Sequence, residues 1–255
     1  MVKITTAERV SRDESDNFVF QRSLLAYHYA SQRVHGRVLE IGTGAGYGVE
    51  IIAPRCESFT TIDKFASEVA VDRFPNVEFK QCCVPPLPFD DESFDCVISF
   101  QVIEHIKRDK LFVEEVYRVL KRGGLFIVST PNIEMSLTRN PWHVREYTAA
   151  EFTELLKPAF DENIEALGVV GNEKVMEYYE HNRRGVESIT RWDIFDLQHR
   201  LPRQLLQLPY DILNRLNRRK LMSGNRELTC SITMDDYFVE DVKANSFDLL
   251  YIAKK

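Results

Sequence analysis

Val38-Leu39-Glu40-Ile41-Gly42-Thr43-Gly44-Ala45-Gly46 sets an apolar run, an acid and three alternate glycines in one line. The run from Arg37 to Ile41 reads as a short strand feeding a glycine turn. The turn feeds a helical pattern from Tyr47 to Ala53, closed by Pro54. Glycines at 42, 44 and 46 permit positive φ and let backbone N–H groups approach a ligand where a Cβ would collide. The expectation is a small charged cofactor at the strand's end.

Outward from that stretch, short apolar runs alternate with helical patterns as far as about Val170, the mark of a parallel sheet covered on both faces. Strands are expected at Arg37–Ile41, Phe59–Ile62, Val77–Gln81, Phe94–Ser99, Leu125–Ser129 and Ile164–Val170. Helices are expected at Ala66–Arg73 and at Lys110–Lys121, the second stopped by Gly123-Gly124 as a left-handed cap. A third is expected from Ala149 to Leu156, with Thr148 and Glu151 forming a capping box. After Val170 the alternation fails, and residues 171–229 read as polar, basic and helical. The apolar Phe247–Ala253 then returns as a strand. Three units follow: a core over 1–170, a helical insertion over 171–229 and a returning strand within 230–255.

At 255 residues and 44% apolar, the chain can bury one good core. It has no run of about 18 apolar residues, and Met1 to Asp16 is polar, so a cytoplasmic location is expected. The five cysteines (56, 82, 83, 96 and 230) are odd in number and lack C-x-x-C spacing, so neither a disulfide framework nor a metal is expected. A net charge of −6 argues against nucleic acid as a partner. Charge is unevenly spread. Between His181 and Arg226 ten basic residues face four acids, making that segment +6 and the remainder −12.

Asp63 ends the second strand about twenty residues after the glycines, where an acid can hold both ribose hydroxyls. Its plainer alternative is a turn acid. The pattern E-x-G-x-G-x-G differs from the G-x-G-x-x-G that seats a pyrophosphate, and Glu40 suits the ammonium of an amino-acid moiety better than a second anion. Further strings follow in order: Leu87-Pro88-Phe89-Asp90-Asp91-Glu92-Ser93-Phe94-Asp95, Val102-Ile103-Glu104-His105-Ile106, Arg118-Val119-Leu120-Lys121-Arg122-Gly123-Gly124 and Ser129-Thr130-Pro131-Asn132. With them, Val34 to Phe160 resembles the class I S-adenosylmethionine-dependent methyltransferases of the ubiquinone and menaquinone biosynthesis group. The resemblance implies a Rossmann-like α/β sheet of seven strands, mostly parallel, the last antiparallel. It implies S-adenosyl-L-methionine as cofactor and S-adenosyl-L-homocysteine as product. It also implies that Glu40, Gly42, Thr43, Gly44 and Gly46 surround the methionine portion, Asp63 the ribose, and Lys64 the adenine. Phe100 and Gln101 would flank the sulfonium. Where many relatives carry an Asp to accept the adenine amino group, this chain has Cys83, so recognition there would rest on the Val84 N–H and on packing.

Methyl transfer from a sulfonium is an in-line displacement, aided by a base when the nucleophile is a hydroxyl. Candidates for that base are Glu104, His105 and His143. The loop Asn140–Tyr147 packs Trp142, His143, Arg145 and Tyr147 into six residues, so Trp142, Arg145 and Tyr147 are candidate substrate-binding groups. Asp95 reads as serving a turn. The insertion combines leucines at helical spacing with a basic edge and stays open to three readings: a lid, a homodimer contact, or a helix on a membrane surface. The activity expected is O-methylation of a small molecule, a sugar or glycan precursor, with a quinone or lipid ring as second choice and a non-catalytic cofactor-binding protein as third. Base methylation is disfavoured, since Ser99-Phe100-Gln101-Val102 stands where an Asn/Asp-Pro-Pro-aromatic grip would be.

Overall fold

The computed structural model describes residues 13–66, 73–191 and 197–255. The expected helix at Ala66–Arg73 falls mostly on 67–72, outside the described residues. The chain runs α1 (Asn17–Ser31), β1 (Arg37–Ile41), α2 (Tyr47–Ile52), β2 (Ser58–Asp63), β3 (Val77–Gln81), β4 (Phe94–Phe100), α3 (Asp109–Val119) and β5 (Leu120–Pro131). It continues through α4 (Ala149–Phe160), β6 (Ile164–Gly171), α5 (Glu173–Thr190), α6 (Leu197–Arg200), α7 (Arg203–Ser231), β7 (Tyr237–Asp241) and β8 (Asp248–Lys254).

The strands form one sheet in the order β3-β2-β1-β4-β5-β8-β6-β7. β1 to β5 are parallel, and β8 lies antiparallel between β5 and β6. The returning antiparallel strand is therefore present, while the expected seven strands are eight. The extra one is β7, which pairs antiparallel with β6 at the edge. It spans five residues, its apolar run is only Tyr237-Phe238-Val239 with Phe238 exposed, and acids flank it, so its sequence does not announce a strand.

Successive side chains of a strand point to opposite faces, and both faces here are covered. Val38, Cys96, Ile98, Ile127 and Leu250 join one core with Tyr27 and Ala30 of α1. Leu39, Val97, Phe126, Val128, Leu249 and Tyr251 join the other with Phe112 of α3 and Phe152 and Phe160 of α4. Near-continuous apolar runs in β1, β4 and β8 follow from burial on both sides.

Two local expectations meet different outcomes. Thr148 and Glu151 do form the capping box of α4. Gly123-Gly124, in contrast, does not cap α3. That helix stops at Val119, because Leu120 is already extended at ψ 137°, and the glycines lie at the start of β5. Gly123 has φ +78° and its N–H donates to the Lys255 carbonyl at 2.7 Å, so the pair turns the chain toward the C-terminal strand instead. Asp95 is structural: it accepts from the Arg37 N–H and the Lys121 ammonium, both at 2.8 Å, which lower its pKa against the opposing effect of burial.

α1 had no counterpart in the sequence reading. It packs Phe18, Ala26, Tyr27 and Ala30 under the sheet and brings Tyr27 beneath the glycine turn.

Candidate active site

The order of strands reverses between β1 and β4, and open α/β sheets bind ligands at such a switch point, beyond the strands' C-terminal ends. A cavity of about 330 Å³ lies there. The turn after β1, the end of β2, residues 82–84 and the segment after β4 line it. Of the expected cofactor residues, Gly42, Thr43, Gly44, Asp63, Lys64, Cys83, Val84, Phe100 and Gln101 all line the cavity.

The turn is held by its neighbours. Gly42 N–H and Thr43 N–H both donate to the Ile62 carbonyl, at 2.8 and 3.1 Å. Gly42 sits at φ +96°, and a Cβ there would overlap Val102. Gly46 lies outside the cavity lining and serves as the left-handed N-cap of α2 at φ +82°. Asp63 Oδ2 accepts from Gly44 N–H, and Oδ1 from Phe65 N–H, each at 2.9 Å. The acid thus shapes the turn while lining the cavity. Gln101 holds φ +57°, a costly conformation for a residue with a Cβ, and it lines the cavity at the end of β4.

Glu40 is placed deeper than the sequence suggests. It is 1% exposed and does not line the cavity. Tyr27 Oη donates to its Oε1 at 2.8 Å, and Thr61 donates to Oε2. Thr43 Oγ1 lies 2.6 Å from Thr61 Oγ1, so a chain of hydroxyls links the turn to the acid. Burial pushes Glu40 up to about 7, opposed by those hydrogen bonds. One layer of side chains, Tyr27 and Thr43, lies between it and the cavity. Tyr27 and Thr61 were not legible in sequence, since neither lies in the glycine motif.

A second cavity, about 510 Å³, lies over residues 133–146 and includes Ser136, Thr138, Arg139, Asn140, His143 and Arg145. The two meet at a pair of histidines: His105 lines the first, His143 the second, and their rings stand edge to face with centroids 4.9 Å apart. Backbone contacts bring the loop there, for Val144 N–H and Arg145 N–H both donate to the Glu104 carbonyl, at 2.7 and 3.3 Å.

Hydrogen bonding sets the tautomers. A carbonyl can only accept, so His105 Nδ1 carries the proton it gives Trp142 O at 3.2 Å, leaving Nε2 unprotonated. Burial lowers the His105 pKa to about 4, helped by His143, so the ring is neutral at neutral pH. His143 Nδ1 lies 2.6 Å from Glu146 Oε1, and its Nε2 lies 2.8 Å from Asn140 Nδ2. Glu104 is 1% exposed, accepts from Thr130 Oγ1 at 3.2 Å and is pushed up to about 7 by burial.

The remaining candidates divide. Arg145 lines the second cavity and pairs with Asp109 at 3.1 Å. Tyr147 lines neither cavity. It is 1% exposed, packs on Phe152 and donates to Asp109 Oδ2 at 3.0 Å. Trp142 lines neither; its Nε1 donates to Asp211 of α7 at 3.0 Å. Two more contacts reach across to the insertion, Arg139 to the Gln198 carbonyl at 3.0 Å and Arg203 to the His143 carbonyl at 3.5 Å. Sequence reasoning missed Asn140 and Glu146 as partners of His143, and Arg139 in the cavity. The loop's density of polar side chains was their only signal.

Comparison with known proteins agrees with this geometry. Residues 39–128 match the family described as methyltransferase domain. A probable S-adenosylmethionine-dependent methyltransferase of Mycolicibacterium smegmatis is 43% identical over 162 residues, covering 60% of this chain and 63% of that protein. A ubiquinone biosynthesis O-methyltransferase of a Chelativorans species is 30% identical over 102 residues, covering 38% of this chain and 40% of that one. The chain thus spans less than two thirds of the length of the curated relatives it matches. Among solved structures, the YcgJ protein of Bacillus subtilis superposes with a TM-score of 0.53 at 19% identity, covering 90% of this chain and 97% of that one. That likeness is one of fold.

Proposed function

We propose that this chain, whose core is a class I methyltransferase domain, transfers the methyl group of S-adenosylmethionine to a hydroxyl of a small polar acceptor, a sugar or glycan precursor. S-adenosylmethionine fits the first cavity on three counts: a glycine turn with no room for a Cβ at 42, a strand-end carboxylate at Asp63, and the buried Glu40 on the ammonium side. Bound there, the cofactor supplies an electrophilic methyl group. The protein's own part is to hold an acceptor in line with it and to manage the proton that leaves.

The observation that carries the acceptor class is the lining of the second cavity. Ser136, Thr138, Arg139, Asn140, Arg145 and Gln198 offer hydroxyl, amide and guanidinium groups beside the apolar Ile133, Leu137 and Val144. These groups can pair the several hydroxyls of a sugar, whereas a quinone ring or acyl chain would leave most of them unpaired. An acceptor seated there points a hydroxyl at the Glu104–His105–His143 cluster, at the boundary with the cofactor cavity. Contacts of the insertion with Trp142, His143 and Arg139 support its reading as a lid over that cavity.

The test is label transfer from methyl-labelled S-adenosylmethionine to a panel of mono- and oligosaccharides, with a catechol-type quinol and a fatty acid in parallel. Labelled O-methyl sugar is the expected product. Transfer to the quinol or the fatty acid alone would overturn the acceptor class. Binding of S-adenosylhomocysteine without transfer to any of them would favour a cofactor-binding protein.

A further inference from the structure

We propose that Glu104, His105 and His143 bind one divalent first-row metal ion, of the zinc or cobalt type, where the two cavities meet. One ligand atom from each residue lies within 4.8 Å of the others. Glu104 and His105 belong to the turn after β4, and His143 comes from a loop nearly forty residues on, so no sequence spacing announces the set. It deepens the proposed activity by naming how the cluster serves the acceptor hydroxyl. Binding of the ion itself does not depend on that activity.

Three features separate the cluster from a chance meeting of polar groups. Both imidazoles have their Nδ1 fixed as donors, His105 to the Trp142 carbonyl and His143 to the Glu146 carboxylate. A backbone carbonyl and a carboxylate are the outer partners that metal-bound histidines use to set tautomer and ring orientation. That leaves Nε2 of each ring as its unprotonated atom.

Next, Nε2 of His105 faces Oε1 of Glu104 at 4.0 Å. A carboxylate oxygen and an unprotonated imidazole nitrogen are both metal-ligating atoms. The separation is too long for a hydrogen bond. It is longer than the spacing of neighbouring ligands on a tetrahedral ion, so the pair closes when an ion binds.

Finally, the carboxylate is 1% exposed, and its side-chain donor is a single threonine hydroxyl at 3.2 Å. Burial disfavours the ionised form of such a group, and a cation that coordinates it offsets the desolvation. Two imidazoles and one carboxylate suit a borderline metal rather than magnesium or calcium, which prefer all-oxygen shells. Ligand atoms around a tetrahedral ion stand about 3.3 Å apart, so the set must close by roughly 1.5 Å. Asn140 Nδ2 must also give up its contact with His143 Nε2. An ion held there would leave a position for the acceptor's hydroxyl oxygen and make that hydroxyl more acidic.

Cobalt(II) chloride titrated into the chelator-treated full chain, followed by visible absorption and calorimetry, tests the site. Expected are d–d bands of an N/O-ligated ion and about one equivalent bound. Affinity should fall at least about tenfold in His143→Ala and in Glu104→Gln. Glu146→Gln, which spares all three ligands, should weaken it by roughly tenfold by loosening His143 and covers the case of a misfolded ligand variant. Cobalt affinity unchanged in these variants, or no cobalt binding by protein that binds S-adenosylhomocysteine normally, would overturn the proposal. In the second outcome the methyltransferase reading survives. Cobalt binding without any S-adenosylhomocysteine binding would keep the metal site and remove that reading.

Discussion

The cofactor cavity and the cavity over residues 133–146 differ in how far along the chain their parts are drawn from. The first is assembled from the ends of β1, β2 and β4, and its defining contacts are backbone N–H groups and one strand-end acid. The second is assembled from a loop after β5 and the insertion, joined by side-chain bonds such as Trp142 to Asp211 and His143 to Glu146. A frame made of sheet hydrogen bonds tolerates little change, whereas side-chain latches can be exchanged without disturbing the sheet. One fold can therefore keep its cofactor and vary its acceptor.

If the halves are separable, substitutions should divide their effects between methyl transfer and cofactor affinity. The largest effect is expected for His143→Ala, which lines only the second cavity. Its kcat should fall by about 10²–10⁴-fold, the usual share of proton management, with S-adenosylhomocysteine affinity in calorimetry within about twofold of the parent. Loss of that affinity instead would merge the two halves. Asp63→Ala acts from the other side. Losing charge-assisted hydrogen bonds of about 1.5–3 kcal/mol each should weaken S-adenosylhomocysteine roughly a hundredfold, read by the same calorimetry.

A smaller effect is expected from pH. Glu40 is held at about 7, above its ordinary 4.5, so the neutral form is favoured in the folded protein. Its contribution to stability is fully present below about 4.5 and is lost as pH rises through about 7. Melting temperature should fall across that window, less so in Glu40→Gln. Cofactor binding should run the opposite way, since the ionised acid attracts the ammonium. S-adenosylmethionine affinity should rise several-fold between about pH 6 and 8, up to about tenfold for one pKa unit of coupling, and the rise should vanish in Glu40→Gln. The smallest effect is expected at the latch. Trp142→Phe removes one hydrogen bond, worth about 1 kcal/mol, and should raise the acceptor KM about threefold to fivefold. Hydrogen exchange should become faster around Asp211, with cofactor affinity unchanged.

The sequence made the cofactor half legible because its signals are local. Strand, glycine turn and strand-end acid lie within 26 residues, from Val38 to Asp63, and each has a backbone reason to be where it is. Nine of the expected cofactor residues line the cavity. Depth was less legible: Glu40, expected beside the ligand, does not line the cavity, and Tyr27 and Thr61 donate to its carboxylate. At the second cavity the sequence singled out the loop Asn140–Tyr147 but did not sort its residues. Trp142 and Tyr147 turned out to bind Asp211 and Asp109, because a large aromatic with a polar tip serves a packing role as readily as a binding one. The glycine pair at 123–124 misled for a similar reason. Positive φ suits a helix cap and a turn into a strand equally, and only the neighbouring C-terminus at Lys255 decided between them.

Apolar periodicity, the spacing of Gly42, Gly44 and Gly46, and an acid at Asp63 by themselves pointed to a covered α/β sheet and to the end of its first strand, where the cavity lies. Those properties arise from hydrogen bonding and sterics between residues near in sequence. Tertiary structure alone decided that His143 meets His105 and Glu104, that Glu40 is buried, and that an eighth strand closes the sheet's edge. Each depends on which distant segment packs alongside, and a distance between segments is set by the fold as a whole, which no local pattern encodes.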